Sequence, residues 1–302
     1  MSYKVSKYHG LGNDYIVLDY NENDLLLTED NVKLLCDRHY GVGSDGILYG
    51  PIFEDDKIKL KIYNPDGSEA EKSGNGVRIF ARYLLDEGYV KDGTVTVETL
   101  GGRVEIDYLR DNLIKVLIGK ASFMSDTIPV TGSKREVVNE MMIFNGHEYK
   151  VSCVSVGNPH CVLLMEEISS DIAKELGPII EIDGHFPRRI NVQFMKVIDR
   201  SNIQIEIYER GAGYTLASGT SSCAAAVVAR KLDLIDSKVI VHMPGGELKV
   251  EMMPDDNIYL IGPVSKVCDV ILSEELTKEM KGFSYIKKKG NREWKKEEEQ
   301  KY

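Results

Sequence analysis

Ile58-Lys59-Leu60-Lys61-Ile62-Tyr63, followed by Ser73-Gly74-Asn75-Gly76, returns 145 residues later as Ile203-Gln204-Ile205-Glu206-Ile207-Tyr208, followed by Ser218-Gly219-Thr220-Ser221. Each first segment alternates apolar and polar residues, the pattern of a half-buried strand. Each second segment opens a helical stretch. After Ser73, Val77, Phe80, Ala81, Leu84 and Leu85 have helical spacing that ends near Gly88; after Ser218, the small-residue run Ser222–Arg230 reads as a closely packed, buried helix. The echo extends both ways. Gly12-Asn13 matches Gly157-Asn158 upstream, and a Gly-Gly hairpin closes both halves downstream, at Gly101-Gly102 and Gly245-Gly246. Self-similarity at this period means two like domains rather than a solenoid. The expected fold class is α+β, with two pseudo-repeated domains, each a curved, mainly antiparallel sheet around a central helix. The first domain covers residues 1–120, joined by a returning strand at about 264–276, and the second covers 121–263. Residues 284–302 read as a charged tail.

Bulk composition excludes several classes. A net charge of −10 gives no electrostatic footprint for nucleic acid or an anionic membrane. No apolar run approaches the ~18–20 residues of a membrane span, and the start lacks a signal-peptide pattern. The five cysteines, Cys36, Cys153, Cys161, Cys223 and Cys268, form no CxxC pair, so reduced thiols in the cytoplasm are expected. The six histidines are scattered without ligand spacing, so no metal site is expected.

Gly41-Val42-Gly43-Ser44-Asp45-Gly46 matches G-x-G-x-x-G. A dinucleotide fingerprint must follow a strand and open a helix. Here Asn31–His39 reads as helix before it and Ile47–Tyr49 as strand after it, so a turn is expected. Ser73 and Ser218 stand where helices begin, and capping alone would explain either one. Their recurrence before Gly74 and Gly219 points further, because glycine lets a ligand approach the backbone. Two helix N-termini facing one cleft would seat a carboxylate, with Asn75 and Thr220 adding donors. Asn64, Asn191, Glu209 and Arg210 fall near strand ends. Glu209-Arg210-Gly211-Ala212-Gly213 suits recognition of a zwitterion, or is surface charge. Asn13, Asn158 and His160 lie in Gly-Asn turns, where Asn tolerates left-handed backbone.

His9–Tyr15, Arg38–Gly46, Asn64–Ser68, Ser73–Arg78, Gly157–His160 and Glu209–Thr220 together resemble the diaminopimelate epimerase family, in order, from about residue 4 to about 275. The resemblance implies a cofactor-independent enzyme that inverts an amino-acid α-carbon, LL- to meso-diaminopimelate, in lysine and peptidoglycan synthesis. One thiolate removes a proton while the opposite thiol delivers another. It further implies a small-molecule amino-acid substrate with its carboxylate on the helix N-termini at Gly74, Asn75, Gly219 and Thr220. Asn64, Asn191 and Arg210 would hold the distal end, and Asn13 and Asn158 would line the pocket. His160 and Glu209 would tune the reacting groups, and a homodimer is possible.

The departure is at the centre, where the family's two catalytic cysteines are Ser73 and Ser218. A thiol ionises near pKa ~8.5, several units below an alkanol, and each unit is roughly 1.4 kcal/mol. Three readings stand. The serines are engineered to hold an enzyme inert, they are natural and activated by a neighbour, or the chain binds the amino acid without epimerising it. An isomerase or dehydratase with altered proton transfer is a further alternative.

Overall fold

The computed structural model describes residues 3–23, 25, 27–71, 73–91 and 93–280; the charged tail at 284–302 lies outside them. The first half runs β1 (Lys4–Gly10), β2 (Asn13–Leu18), α1 (Glu29–Cys36), β3 (Ile47–Glu54), β4 (Lys57–Tyr63), β5 (Glu69–Ala70), α2 (Gly74–Asp86), β6 (Thr94–Thr99), β7 (Gly102–Tyr108) and β8 (Leu113–Gly119). The second runs β9 (Glu140–Phe144), β10 (His147–Ser155), β11 (Pro159–Leu164), α3 (Ser170–Glu181), β12 (Asn191–Asp199), β13 (Asn202–Glu209), β14 (Gly213–Thr215), α4 (Gly219–Lys231), β15 (Lys238–Met243), β16 (Gly246–Met252) and β17 (Ile258–Pro263), with β18 (Ser265–Ile271) last. This is a mixed fold of a large, mostly antiparallel sheet and few helices.

Strand pairing repeats in the same register. Ile16 of β2 lies opposite Ile47 of β3 in parallel, as Cys161 of β11 lies opposite Val192 of β12, each residue shifted by 145. Ile47 opposite Tyr63 is likewise matched by Val192 opposite Tyr208. Because the side-chain period of a strand is two, this shared register puts corresponding side chains on corresponding faces. The halves are fused by an antiparallel seam between β8 and β17, and β18 pairs antiparallel with β1. The Gly41–Gly46 segment is a loop running into β3, so the dinucleotide reading is excluded by position.

A single apolar core holds α2 and α4, with Val77, Phe80 and Leu84 of α2 and Cys223, Ala224 and Ala225 of α4 in one cluster. The small side chains of α4 let it sit within its own sheet and reach α2. Separate clusters form around α1 and α3. Helix α3 is capped by Ser169, whose side chain accepts the Ile172 N–H, and it carries Pro178 within its length. At Gly177 it rests on β13 so closely that a Cβ would lie 2.5 Å from both Cβ and Cγ of Tyr208. These are the stem atoms of that side chain and cannot swing aside. Gly177→Ala is therefore expected to lower stability by about 1–3 kcal/mol, despite alanine's better helix propensity, read as a fall in the denaturation midpoint.

Candidate active site

The decisive geometry is the meeting of two helix N-termini. Ser73 caps α2, its side chain accepting the Gly76 N–H at 3.0 Å, and Ser218 caps α4, accepting the Ser221 N–H at 3.4 Å. Both caps have extended backbone, with φ/ψ of −138°/118° and −146°/128°. The first residues of the helices abut, since a Cβ on Gly74 would come within 3.9 Å of Gly219 Cα. A Cβ on Gly219 would meet Leu260 Cδ2 at 2.7 Å. The absence of side chains there brings both sets of unpaired N–H groups to one spot. They open onto a cleft of about 500 Å³ lined by Ser73, Gly74, Asn75, Ser218, Gly219 and Thr220, with Asn13, Asn64, Asn158 and Glu209 around it. Converging N–H groups at the positive ends of two helix dipoles favour an anion.

On the Ser73 side, β2 supplies Asn13 and Tyr15. The Tyr15 phenol oxygen lies 3.1 Å from Ser73 Oγ. Burial pushes its pKa up to about 12; the Ser73 hydrogen bond pulls the other way, and the charges of Asp45 and Glu209 add to the rise. Asn13 donates to Asp45 Oδ2 at 2.9 Å and accepts from Asn75 Nδ2 at 3.0 Å. Asn75 Oδ1 in turn accepts from Arg78 Nη2 at 2.8 Å, while Arg78 Nη1 donates to the Gly74 carbonyl at 3.2 Å. Arg78 is wholly buried, and among the described residues its Nε has no partner. Its side chain thus places a fixed positive charge just beneath the anion seat.

The Ser218 side is built differently. Glu209, at the end of β13, is held above the usual carboxylate range chiefly by burial. Hydrogen bonding from Ser218 opposes that rise, and the charge of Asp45 adds to it. His160, fully buried on β11, has its Nε2 at 2.8 Å from Asn158 Oδ1, the geometry of an Nε2–H donor. Burial pulls its pKa down to about 3, so the ring is neutral at neutral pH. Asn158 Nδ2 reaches Thr220 Oγ1 at 3.4 Å.

A smaller adjoining hollow of about 380 Å³ shares Asn64, Gly74, Asn158 and Thr220 with the cleft and adds Arg210. Asn64 is held by a bond to Ser68 Oγ at 3.0 Å. Asn191 stands behind this wall. Its Oδ1 accepts the Arg210 N–H at 3.0 Å and its Nδ2 donates to the Pro159 carbonyl at 2.8 Å. Of the residues singled out in the sequence, Ser73, Ser218, Asn13, Asn64, Gly74, Asn75, Asn158, Glu209, Gly219 and Thr220 line the cleft, and Arg210 lines the hollow beside it. His160 and Asn191 lie one layer back, on its supports. No cysteine lines either space among the described residues, and no group of three or more His, Cys, Asp and Glu is gathered there as for a metal ion.

The sequence profile described as diaminopimelate epimerase matches this chain twice, over residues 5–124 and 152–267, once per half. The chain belongs to the diaminopimelate epimerase family. Diaminopimelate epimerase 2 of Nostoc sp. is 50% identical over 276 residues, covering 90% of this chain and 96% of that protein. The diaminopimelate epimerase of Caldanaerobacter subterraneus is 42% identical over 268 residues, covering 87% and 97%. Among solved structures, a hydroxyproline epimerase from Agrobacterium vitis superposes with a TM-score of 0.66 at 12% identity, covering 91% of this chain and 94% of that one. A phenazine biosynthesis protein of Bacillus anthracis gives 0.64 at 15%, covering 90% and 99%. At such identities these two share the fold. Within the diaminopimelate epimerase frame, Tyr15, Asp45 and Arg78 are the residues that the sequence did not single out. All three fall inside quoted motifs, yet nothing local marks a phenol as the partner of a serine 58 positions away or an arginine as wholly buried.

Proposed function

We propose that this chain is an isomerase of the epimerase type that inverts the α-carbon of diaminopimelate or a close analogue without a cofactor. The observation that carries this reading is the pair of serine-capped helices opening onto one cleft. The substrate's α-carboxylate takes the N–H groups of Gly74, Asn75, Gly219 and Thr220, with Arg78 beneath. As the α-proton leaves, negative charge spreads into that carboxylate, where the helix ends strengthen their hold, a transition-state effect of the oxyanion-hole kind. Ser73 and Ser218 address the α-carbon from opposite sides as acid and base. Asn64 and Arg210 meet the distal amino-acid head, and Asn191 fixes the Arg210 backbone. Asn158, oriented by neutral His160, closes the wall beside Thr220.

No described helix is long and apolar enough to cross a membrane. The family resemblance supports a cytoplasmic setting and a homodimer. The test is NMR of LL- and meso-diaminopimelate with the pure chain in D₂O. Deuterium entering the α-position, with interconversion of the isomers, is the expected result. Saturable binding with no exchange after prolonged incubation would instead make the chain an amino-acid binding protein.

A further inference from the structure

We propose that Tyr15 is the proton relay for Ser73, re-protonating its hydroxyl as that hydroxyl delivers a proton to the substrate's α-carbon. The proposal rests on the epimerase reading above and says how a serine serves where the family resemblance implies a thiol.

The geometry is specific. Ser73 Oγ already accepts the Gly76 N–H, and the Tyr15 oxygen stands 3.1 Å away. A hydroxyl has one proton to donate and two acceptor positions. With Gly76 and Tyr15 both donating to Ser73, its own proton is left to point into the cleft. The Tyr15 ring is seated for this. A Cβ on Gly46 would lie 2.7 Å from its Cε1 and 2.5 Å from the Tyr63 carbonyl, so only glycine there leaves room for the ring.

The two halves differ at the corresponding positions, which gives the relay a direction. The residue 145 positions after Tyr15, in the same strand register, is His160, and it faces Asn158. The residue 145 positions before Glu209 is Asn64, a neutral amide. A phenol therefore backs one serine and a carboxylate backs the other. In the forward step the α-C–H bond breaks on the Ser218 face. That proton joins Ser218 Oγ, whose own proton passes to the Glu209 carboxylate. The electron pair stays with the substrate, spread into its carboxylate, and then forms the new C–H bond on the opposite face with the Ser73 proton. Ser73 takes the Tyr15 proton and ends neutral, leaving a phenolate. The net transfer is one proton from Tyr15 to Glu209, and water in the cleft reverses it between turnovers.

A phenolate is a far cheaper product than a serine alkoxide, since an unperturbed phenol ionises near pKa ~10. Burial raises Tyr15 to about 12, and the charges of Asp45 and then Glu209 add to the rise. Protonating Glu209 in the same step removes that charge, so the two ends of the relay assist each other. Tyr15 acts through Ser73 and is a positioning residue, so its test needs a readout that a packing role would not move.

Tyr15→Phe keeps the ring and removes only the oxygen. It should be made both in this chain and in a Ser73→Cys chain, whose thiol needs no relay. α-Deuteration of diaminopimelate is followed by NMR, kcat and KM are measured, and binding of a non-reacting diaminopimelate analogue is titrated. The expected result in the serine chain is a fall in kcat of roughly 10²-fold with KM and analogue binding unchanged. In the Ser73→Cys chain the same change should cost less than about threefold, as expected for non-additive partners. Equal losses in both backgrounds, or no loss in the serine chain, would overturn the relay. A serine chain that never exchanges, beside a Ser73→Cys, Ser218→Cys chain that does, would also overturn it while leaving the epimerase site standing. Failure of both chains to bind the analogue or exchange would remove the epimerase reading and the relay with it.

Discussion

Ser73→Cys combined with Ser218→Cys is expected to raise the rate of α-proton exchange on diaminopimelate by at least about 10³-fold. The estimate follows from acidity alone. A thiol sits several pKa units below an alkanol, and each unit is roughly tenfold in rate if the ionised form does the work. Helix N-termini stabilise a thiolate further, and both positions here are the caps of helices whose first N–H groups face the cleft. Nothing else in the site needs to change. The arginine-supported seat, the Asn13–Asn75 bridge and the Glu209 carboxylate are already in place. Cysteine is a poorer N-cap than serine, so the double variant should lose up to about 1 kcal/mol per helix, seen as a lower melting temperature. Exchange kinetics in D₂O for the two chains at equal concentration decide the matter. A double variant that binds the analogue yet exchanges no faster than the serine chain would mean that the two caps do not address the α-carbon at all.

The repeat was legible because it is written in both spacing and chemistry. Ile58–Tyr63 and Ile203–Tyr208 alternate as strands, and the constant offset reappears as identical pairing registers in β2–β3 and β11–β12. The serine caps were legible because a cap is a local requirement of the first helical turn. Helix α1 was found but runs Glu29–Cys36 rather than on to His39, since the Asp37 carboxylate accepts the His39 and Tyr40 N–H groups and turns the chain out of the helix. Helix α3 left no clear signal, because Gly177 and Pro178 interrupt its pattern, and its glycine is explained only by Tyr208 of a distant strand. The β8–β17 seam was invisible for a similar reason. Alternation in Leu113–Gly119 declares a strand without naming its partner. At the site, a sequence can propose which residues belong together. The asymmetry between a phenol behind one serine and a carboxylate behind the other emerges only when folding sets the Tyr15 oxygen 3.1 Å from Ser73 Oγ.

Glu209→Gln should lower epimerisation by roughly 10²–10⁴-fold and at the same time make the folded chain more stable at neutral pH. Both effects come from one fact, that a carboxylate is held in a place that disfavours its charge. Burial and the neighbouring Asp45 raise its pKa, while the Ser218 hydroxyl only partly compensates. A carboxyl whose pKa is higher in the folded state binds more protons there than in the unfolded chain, so folding stability falls as pH rises. Its stabilising protonated form is fully present below the ordinary carboxylate pKa of about 4.3, and the contribution is lost as pH climbs through the raised folded value. Glutamine copies the neutral form at every pH, so the variant should lack that decline. Catalysis runs the opposite way. Only the charged carboxylate can take the proton that Ser218 passes on, so exchange by the unaltered chain should increase with pH through the raised value, and the variant should lose this limb. Melting temperature and α-deuteration, each followed from about pH 4 to 8 for the two chains, test the link directly. A variant that is less stable at neutral pH, or that keeps the rising limb of exchange, would show that Glu209 is an ordinary wall residue and that the proton leaves the Ser218 face by another route.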